Sequence, residues 1–208
     1  MSKLDFKKLD YFKAKREPSI VNVPKAQYLA VDGTGHPSLS DDWQKAIEML
    51  YPVAYAIRMS PKKDRAPAGY REYTVGPLSG LWWADDVTSQ EDFESRLKEE
   101  WKWTALIVQP DFATKEVAEQ FIELTKENKP ELDLDKMYYL QEETTEAAQI
   151  LHIGSYEAEA PTIRKLHDFI EAQGYKINGK HHEIYLSDPR RVDESKLKTI
   201  IRYPVEKS

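Results

Sequence analysis

The sequence contains no cysteine among its 208 residues. It therefore has no disulfide, no thiolate metal site and no cysteine nucleophile, which fits a reducing cytoplasm. It also lacks an apolar stretch long enough to span a bilayer, and it does not begin with a signal peptide pattern. A basic excess is missing as well, because the net charge is −6 at pH 7. We therefore predict a cytoplasmic protein with neither a membrane nor a nucleic acid as its partner.

Aromatic residues are the unusual part of the composition, with five Trp and twelve Tyr. Hydrophobic residues make up 40% of the chain and charged residues 32%, which is typical of a charge-rich globular protein. Large aromatic side chains normally belong to the core, so most of these rings are expected to be structural.

The order of predicted elements occurs twice along the chain. The first unit is a strand, a helix and two strands at 27–32, 41–57, 70–84 and 101–109, and the second repeats this order at 147–155, 161–173, 181–187 and 197–205. Two such β-α-β-β units predict an α+β fold with a concave antiparallel sheet and helices on one face only. We assign residues 1–25 to an N-terminal lead-in and residues 26–206 to a single domain with halves 26–127 and 137–206.

Two local features refine this prediction. Pro52 falls inside the first helical pattern, which predicts a kink or an interruption near residues 48–51. Ser89 and Asp92 have the spacing of a capping box, which predicts the start of a short helix.

One strand combines an imidazole, a carboxylate and a phenol. Alternation along this strand predicts two faces, the first with His182, Ile184 and Leu186, the second with His181, Glu183, Tyr185 and Ser187. We predict that the aliphatic first face meets the covering helices. The second face then forms either a wall of a polar, aromatic pocket or a solvated outer surface. Because His181 and His182 point to opposite faces, they cannot chelate one ion, and we predict neither a metal nor a cofactor.

Three sequence strings carry a family resemblance, namely Val31–Pro37, Pro77–Trp83 and His182–Pro189. They are similar to the GyrI-like family of small-molecule-binding domains, an SHS2-type fold, and within it to the standalone Lin2189-like branch. The resemblance covers about residues 20–206. It implies a concave sheet with an aromatic groove and a buried glutamate. It departs from the family at Ser79, where an acidic residue is expected.

The resemblance also implies an activity. Family members attached to DNA-binding domains sense aromatic and often cationic drugs. Standalone members resemble cyclopropanoid cyclopropyl hydrolases, which add water to the strained ring of alkylating natural products. Glu183 is then the expected general base. A cleft lined by apolar groups would favour its neutral form and raise its pKa. Either Tyr55 or Tyr185 is expected to donate a proton to the developing oxyanion.

Aromatic residues are the expected substrate contacts. Trp82 and Trp83 are neighbours on a strand, so at most one of them faces the cleft and the other packs beneath a helix. Trp103 is a second candidate wall, and His181 and Tyr185 complete the predicted contacts.

Two classes of function remain open at this point. The first is a hydrolase that acts on flat aromatic xenobiotics, with a role in detoxification or drug resistance. The second is a non-catalytic module that binds or sequesters aromatic or cationic drugs, in which Glu183 serves only as a counter-charge. A role in protein interaction is a third and weaker option, so a protein partner also stays open.

Overall fold

The computed structural model describes residues 3–86 and 97–208. In chain order, the strands are β1 (Leu4–Asp5), β2 (Ser19–Val23), β3 (Ala26–Thr34), β4 (Tyr73–Thr74), β5 (Leu78–Trp83), β6 (Lys102–Gln109), β7 (Met137–Glu142), β8 (Thr145–Ile153), β9 (Tyr175–Ile177), β10 (His181–Tyr185) and β11 (Lys198–Lys207). The helices are α1 (Asp42–Arg58), α2 (Lys115–Asn128) and α3 (Ala160–Ala172). The chain divides into two compact units, Met1–Phe6 with Ala26–Glu142 and Lys7–Lys25 with Glu143–Ser208.

The first unit is built on the antiparallel strand order β5-β6-β3-β7. Helix α1 packs on β3 and β6, and α2 packs on α1 and β7. The side chains of α1 that meet this sheet are fully buried, including Leu50, Val53 and Ile57. The short strands β1 and β4 pair in parallel beside this sheet.

The second unit has the antiparallel order β10-β11-β8-β2, and β9 pairs with the far end of β11. Helix α3 packs on β8 and β9. Its core joins aliphatic side chains of the helix to residues of β8 and β11, namely Ile163, Leu166, Ile170, Ala148, Ile150 and Ile201. The lead-in contributes β2, which lies along the outer side of β8.

The predicted repeat is confirmed in the strand order within each unit. The elements β3-α1-β5-β6 and β8-α3-β10-β11 follow the same sequence, and in both the fourth element of the repeat lies between the third and the first. The fold is α+β, with antiparallel pairing throughout both repeats.

Two local predictions have different outcomes. Of the kink or interruption predicted near residues 48–51, the interruption is wrong, because α1 is continuous from Asp42 to Arg58 with Pro52 inside it, and the kink stays a prediction. Proline removes one hydrogen bond to the preceding turn, but the buried apolar face of α1 holds the helix on the sheet. The capping box at Ser89 and Asp92 lies outside the described residues.

In the part of the chain that the structure describes, no helix has both the length and the hydropathy needed to span a membrane.

Candidate functional site

The second unit brings together three of the predicted site residues. His181, Glu183 and Tyr185 alternate along β10, and Glu183 lies opposite Ile201 of β11. Because Ile201 packs in the same cluster as Leu166 of α3, this polar face is the one that the helix covers. The prediction that the aliphatic face meets the covering helix is therefore wrong.

The lead-in contacts the opposite face of this sheet. His182 of β10 lies opposite Arg202, whose guanidinium donates to Gln149 and to the backbone carbonyl of Tyr11 in the lead-in. The ring of Phe12 lies 5.9 Å from the same guanidinium. The alternation of β10 was predicted correctly, but the count of aliphatic residues could not tell which face meets the helix.

Glu183 is at the centre of a hydrogen-bond network. Its Oε1 lies 2.8 Å from Nε2 of His181, and its Oε2 accepts a 2.7 Å hydrogen bond from the Tyr185 hydroxyl. The other ring nitrogen of His181, Nδ1, lies 2.6 Å from the Tyr203 hydroxyl. The Glu183 side chain is 16% exposed and that of His181 10%, so Glu183 is mostly buried but retains access to solvent.

Glu159 is a second carboxyl at this site, just before α3, and it is only 4% exposed. One oxygen or nitrogen atom from each of Glu159, His181 and Glu183 lies within 4.8 Å of the others. Burial, followed by the negative charge of Glu183, raises the pKa of Glu159 to about 10. Glu159 is therefore a neutral acid at pH 7.

The hydrogen bonding of the Glu159 carboxyl agrees with a protonated, neutral side chain. Its Oε1 is buried and accepts no hydrogen bond from the residues the structure describes. A protonated carboxyl can direct its O–H at Glu183 instead. The Thr199 hydroxyl lowers the pKa of Glu159 slightly, although it does not reach the geometry of an ordinary hydrogen bond.

The pKa of Glu183 is shifted in the opposite direction. Burial alone raises it, but the hydrogen bond and attraction of His181, with the hydroxyl of Tyr185 and the proton of Glu159, outweigh burial and hold it below its ordinary value. The prediction of a raised pKa for Glu183 is therefore wrong, because it took account of burial but not of the hydrogen bonds from His181 and Tyr185 on the same strand face. Two neighbouring carboxyls whose pKa values are shifted in opposite directions can act as an acid and a base.

Tyr156 borders this cluster on the solvent side. Its ring meets that of Tyr185 edge-on at 5.6 Å, and Tyr156 is 39% exposed. Burial, with the negative charge of Glu183 and then Glu159, raises the pKa of Tyr156 to about 12. The two tyrosines thus provide an aromatic surface beside the carboxyl pair.

Glu159, His181 and Glu183 are also the ligand types that a zinc ion accepts. However, Nε2 of His181 is directed at a carboxylate oxygen that can only accept, so this nitrogen carries its hydrogen and offers no lone pair. We interpret the cluster as a proton-bridged network, and the absence of a metal stays a prediction.

The predicted tryptophans belong to the first unit. Trp82 is 6% exposed and Trp103 1% exposed, and their rings lie 4.7 and 5.0 Å from the Trp43 ring of α1. A Cβ at Gly80 would lie 2.7 Å from Trp82 and 2.8 Å from Trp43, so glycine is required for this close packing. Trp83 points to the opposite face and is partly exposed. Contact of Trp82, Trp83 and Trp103 with a substrate stays a prediction.

Tyr55 and Ser79 also belong to the first unit. Tyr55 is 53% exposed on α1, and its ring stacks on Tyr51 at 6.3 Å. Ser79 is 3% exposed. A catalytic role for Tyr55 stays a prediction.

Glu159 and Tyr203 are the site residues that the sequence analysis missed. Glu159 immediately precedes Ala160 and Pro161 at the start of a helix, where an acidic residue is ordinary because it favours the helix dipole. Tyr203 follows the period of a buried strand. In the sequence, neither residue can be distinguished from one with a purely structural role. Only the tertiary fold brings Glu159 close to Glu183 and brings Tyr203 to His181.

The repeated β-α-β-β units define this chain as an α+β domain, and its second unit contains a buried carboxyl pair. The family model described as the GyrI-like small molecule binding domain matches residues 16–206. The chain therefore belongs to the GyrI-like family, and the family resemblance of the three strings is confirmed.

Solved structures agree with this assignment. A hydrolase from Listeria innocua is 37% identical, with 98% of this chain and 100% of that chain covered and a TM-score of 0.85. A hydrolase encoded by lin2189 from Listeria innocua is 36% identical, with 99% and 100% covered and a TM-score of 0.86. The EcmrR C-terminal domain shares only the fold, at 14% identity, 92% and 98% coverage and a TM-score of 0.54. The comparison with curated proteins gave no match.

Proposed function

We propose that this protein binds flat aromatic xenobiotics and hydrolyses cyclopropanoid alkylators, with Glu183 as the general base. The observation that carries the proposal is the charged Glu183 carboxylate, held by His181 and Tyr185 beside the neutral acid Glu159. The two Listeria innocua structures described as hydrolases, at 36% and 37% identity over nearly the whole chain, support a hydrolytic reaction.

The reaction requires a water molecule and an acceptor for negative charge. Glu183 takes a proton from water while the water oxygen forms a bond to a ring carbon of the substrate. The strained carbon–carbon bond breaks, and its electron pair passes to the conjugated carbonyl oxygen, which then takes up a proton. A carboxylate with a lowered pKa is a weak base, but it is always ionised at neutral pH, and ring strain supplies driving force.

The proton donor to this oxygen has three candidates among the described residues. Tyr55 is a donor expected from the sequence, and this role stays a prediction. Glu159 carries a proton next to Glu183 but is nearly inaccessible to solvent. The Tyr185 hydroxyl already donates to Glu183, which makes it the weaker candidate.

The substitution Glu183→Gln tests this proposal. It keeps the side-chain volume but removes the base, so we expect turnover of a cyclopropane alkylator to fall by roughly 10²–10⁴-fold with ligand binding retained. Mass spectrometry of the products in ¹⁸O-labelled water measures the reaction. Glu157→Gln, an exposed glutamate of the turn before α3, is the matched control. Unchanged turnover in Glu183→Gln would remove the mechanism.

A second candidate function is a module that binds cationic drugs without turnover. The lowered pKa of Glu183 favours it as well, because a carboxylate that stays charged can pair with a cation. This function predicts that Glu183→Gln weakens the binding of a cationic dye, and that the wild-type protein forms no product from any cyclopropane.

A further inference from the structure

His181 links Glu183 to a phenol in the core of the second unit. One ring nitrogen is 2.8 Å from Glu183 and the other is 2.6 Å from the hydroxyl of Tyr203, so both polar atoms of the ring are used inside the protein. The side chain is 10% exposed, which leaves little of the ring for contact with a ligand. The contacts of His181 therefore differ from those expected of a substrate-binding residue.

The directions of these hydrogen bonds follow from the groups involved. A carboxylate only accepts, so Nε2 of His181 must carry a hydrogen and donate it to Glu183. In the neutral ring, Nδ1 then has a lone pair and must accept. In the neutral ring, the Tyr203 hydroxyl is the donor that supplies this bond, and it then selects the tautomer that donates to Glu183.

Tyr203 is well placed to fix the ring. It is 4% exposed and belongs to the core cluster that contains Leu166 and Ile201. The ring of His167 meets Tyr203 edge-on at 4.8 Å, and the ring of His181 meets it at 5.0 Å. The phenol is thus held by packing from several sides, and its hydroxyl has a fixed position relative to β10.

We propose that Tyr203 and His181 are positioning residues for Glu183: Tyr203 fixes the tautomer and orientation of the His181 ring, and His181 holds the carboxylate in one orientation. This inference builds on the proposed role of Glu183 as base. Neither residue reacts with the substrate, and both act through the carboxylate. The same arrangement of a carboxylate and an oriented imidazole occurs where a reacting group must be held in one geometry.

Three variants test the chain of contacts. Tyr203→Phe keeps the packed ring and removes only the hydroxyl. His181→Gln keeps an N–H donor for Glu183, whereas His181→Leu removes it. Circular dichroism and urea unfolding first establish that each variant is folded.

Nuclear magnetic resonance of the ¹⁵N- and ¹³C-labelled protein is the readout that does not depend on turnover. In Tyr203→Phe we expect the Nδ1 resonance of His181 and the carboxyl-carbon resonance of Glu183 to move, because the donor to Nδ1 is gone. Resonances that stay at their wild-type positions would overturn the proposal. If Tyr203 only packs in the core, loss of its hydroxyl should change the signals of residue 203 and leave the Nδ1 resonance of His181 and the carboxyl-carbon resonance of Glu183 at their wild-type positions.

Turnover of a cyclopropane alkylator is the second readout. We expect kcat to fall roughly tenfold in Tyr203→Phe with little change in KM, the loss expected for one hydrogen bond near a charged group. His181→Gln should retain more turnover than His181→Leu. Equal losses in these two variants would overturn the donor role of His181. If the wild-type protein has no turnover but the resonances move as expected, the proposed function fails and the contact chain stands.

Discussion

Replacing Glu159 by glutamine should change how the stability of the protein depends on pH. In the folded protein the pKa of Glu159 is raised to about 10, mainly by burial, whereas its ordinary value is 4.5. Between these values the folded state keeps a proton that the unfolded state has lost. The free energy of unfolding therefore falls by about 1.4 kcal/mol for each pH unit in this window.

The contribution of Glu159 has a definite sign. It is fully favourable below pH 4.5 and is lost as the pH rises towards 10. Between pH 5 and pH 8 the loss amounts to about 4 kcal/mol. Glu183 adds no slope in this range, because its lowered pKa leaves it ionised in both states. Its own contribution is present above its ordinary pKa and is lost at lower pH.

Glu159→Gln keeps a neutral, polar side chain of the same size and cannot ionise. Urea unfolding at several pH values from 5 to 8 measures the difference between the variant and the wild-type protein. We expect the variant to gain about 4 kcal/mol relative to the wild type over this range, whatever their difference at pH 5. Glu157→Gln removes an exposed carboxyl from the same turn and should give a curve parallel to that of the wild type. Parallel curves for Glu159→Gln as well would refute a neutral, buried Glu159.

Three further predictions concern packing and metal dependence. Gly80→Ala should destabilise the first unit by about 1–3 kcal/mol, because the added Cβ would lie within 2.8 Å of two indole rings; urea unfolding followed by tryptophan fluorescence measures this, and an unchanged midpoint would contradict it. Leu166→Ala should cost about 2–5 kcal/mol, because the Leu166 side chain of α3 is fully buried; urea unfolding followed by circular dichroism measures this, with exposed Leu39→Ala as the control, and equal losses in the two would refute the core assignment. Incubation with a chelator should leave turnover and stability unchanged, because the carboxyl cluster is held by protons; a loss restored by zinc would show instead that the cluster is a metal site.

The element order was readable from the sequence because it depends on local periodicity. The strand predicted at residues 101–109 corresponds to Lys102–Gln109 and begins one residue later, and the helix predicted at 161–173 corresponds to Ala160–Ala172 and is shifted by one residue at both ends. The sequence could not show that α1 continues through Pro52, because the cost of a proline in a helix is local whereas the packing that offsets it is tertiary.

The candidate site was predicted only in part. Glu183, His181 and Tyr185 were recognised because they alternate on one strand, a relation that the sequence contains. Glu159 and Tyr203 were not, because they lie on other elements and reach Glu183 only through the register of β11 and the start of α3. The expected rise in the pKa of Glu183 is wrong because burial was considered without the hydrogen bonds that His181, Tyr185 and Glu159 provide.

The sequence by itself determined the repeated β-α-β-β order, the alternation of side chains along β10 and the family of the chain, because these are set by residues close to each other or by local strings. Only the tertiary structure decided which face of β10 the helix covers and which of two glutamates keeps its proton. Both depend on contacts between residues far apart in the chain. Burial and neighbouring charge, rather than residue type, separate the neutral Glu159 from the ionised Glu183.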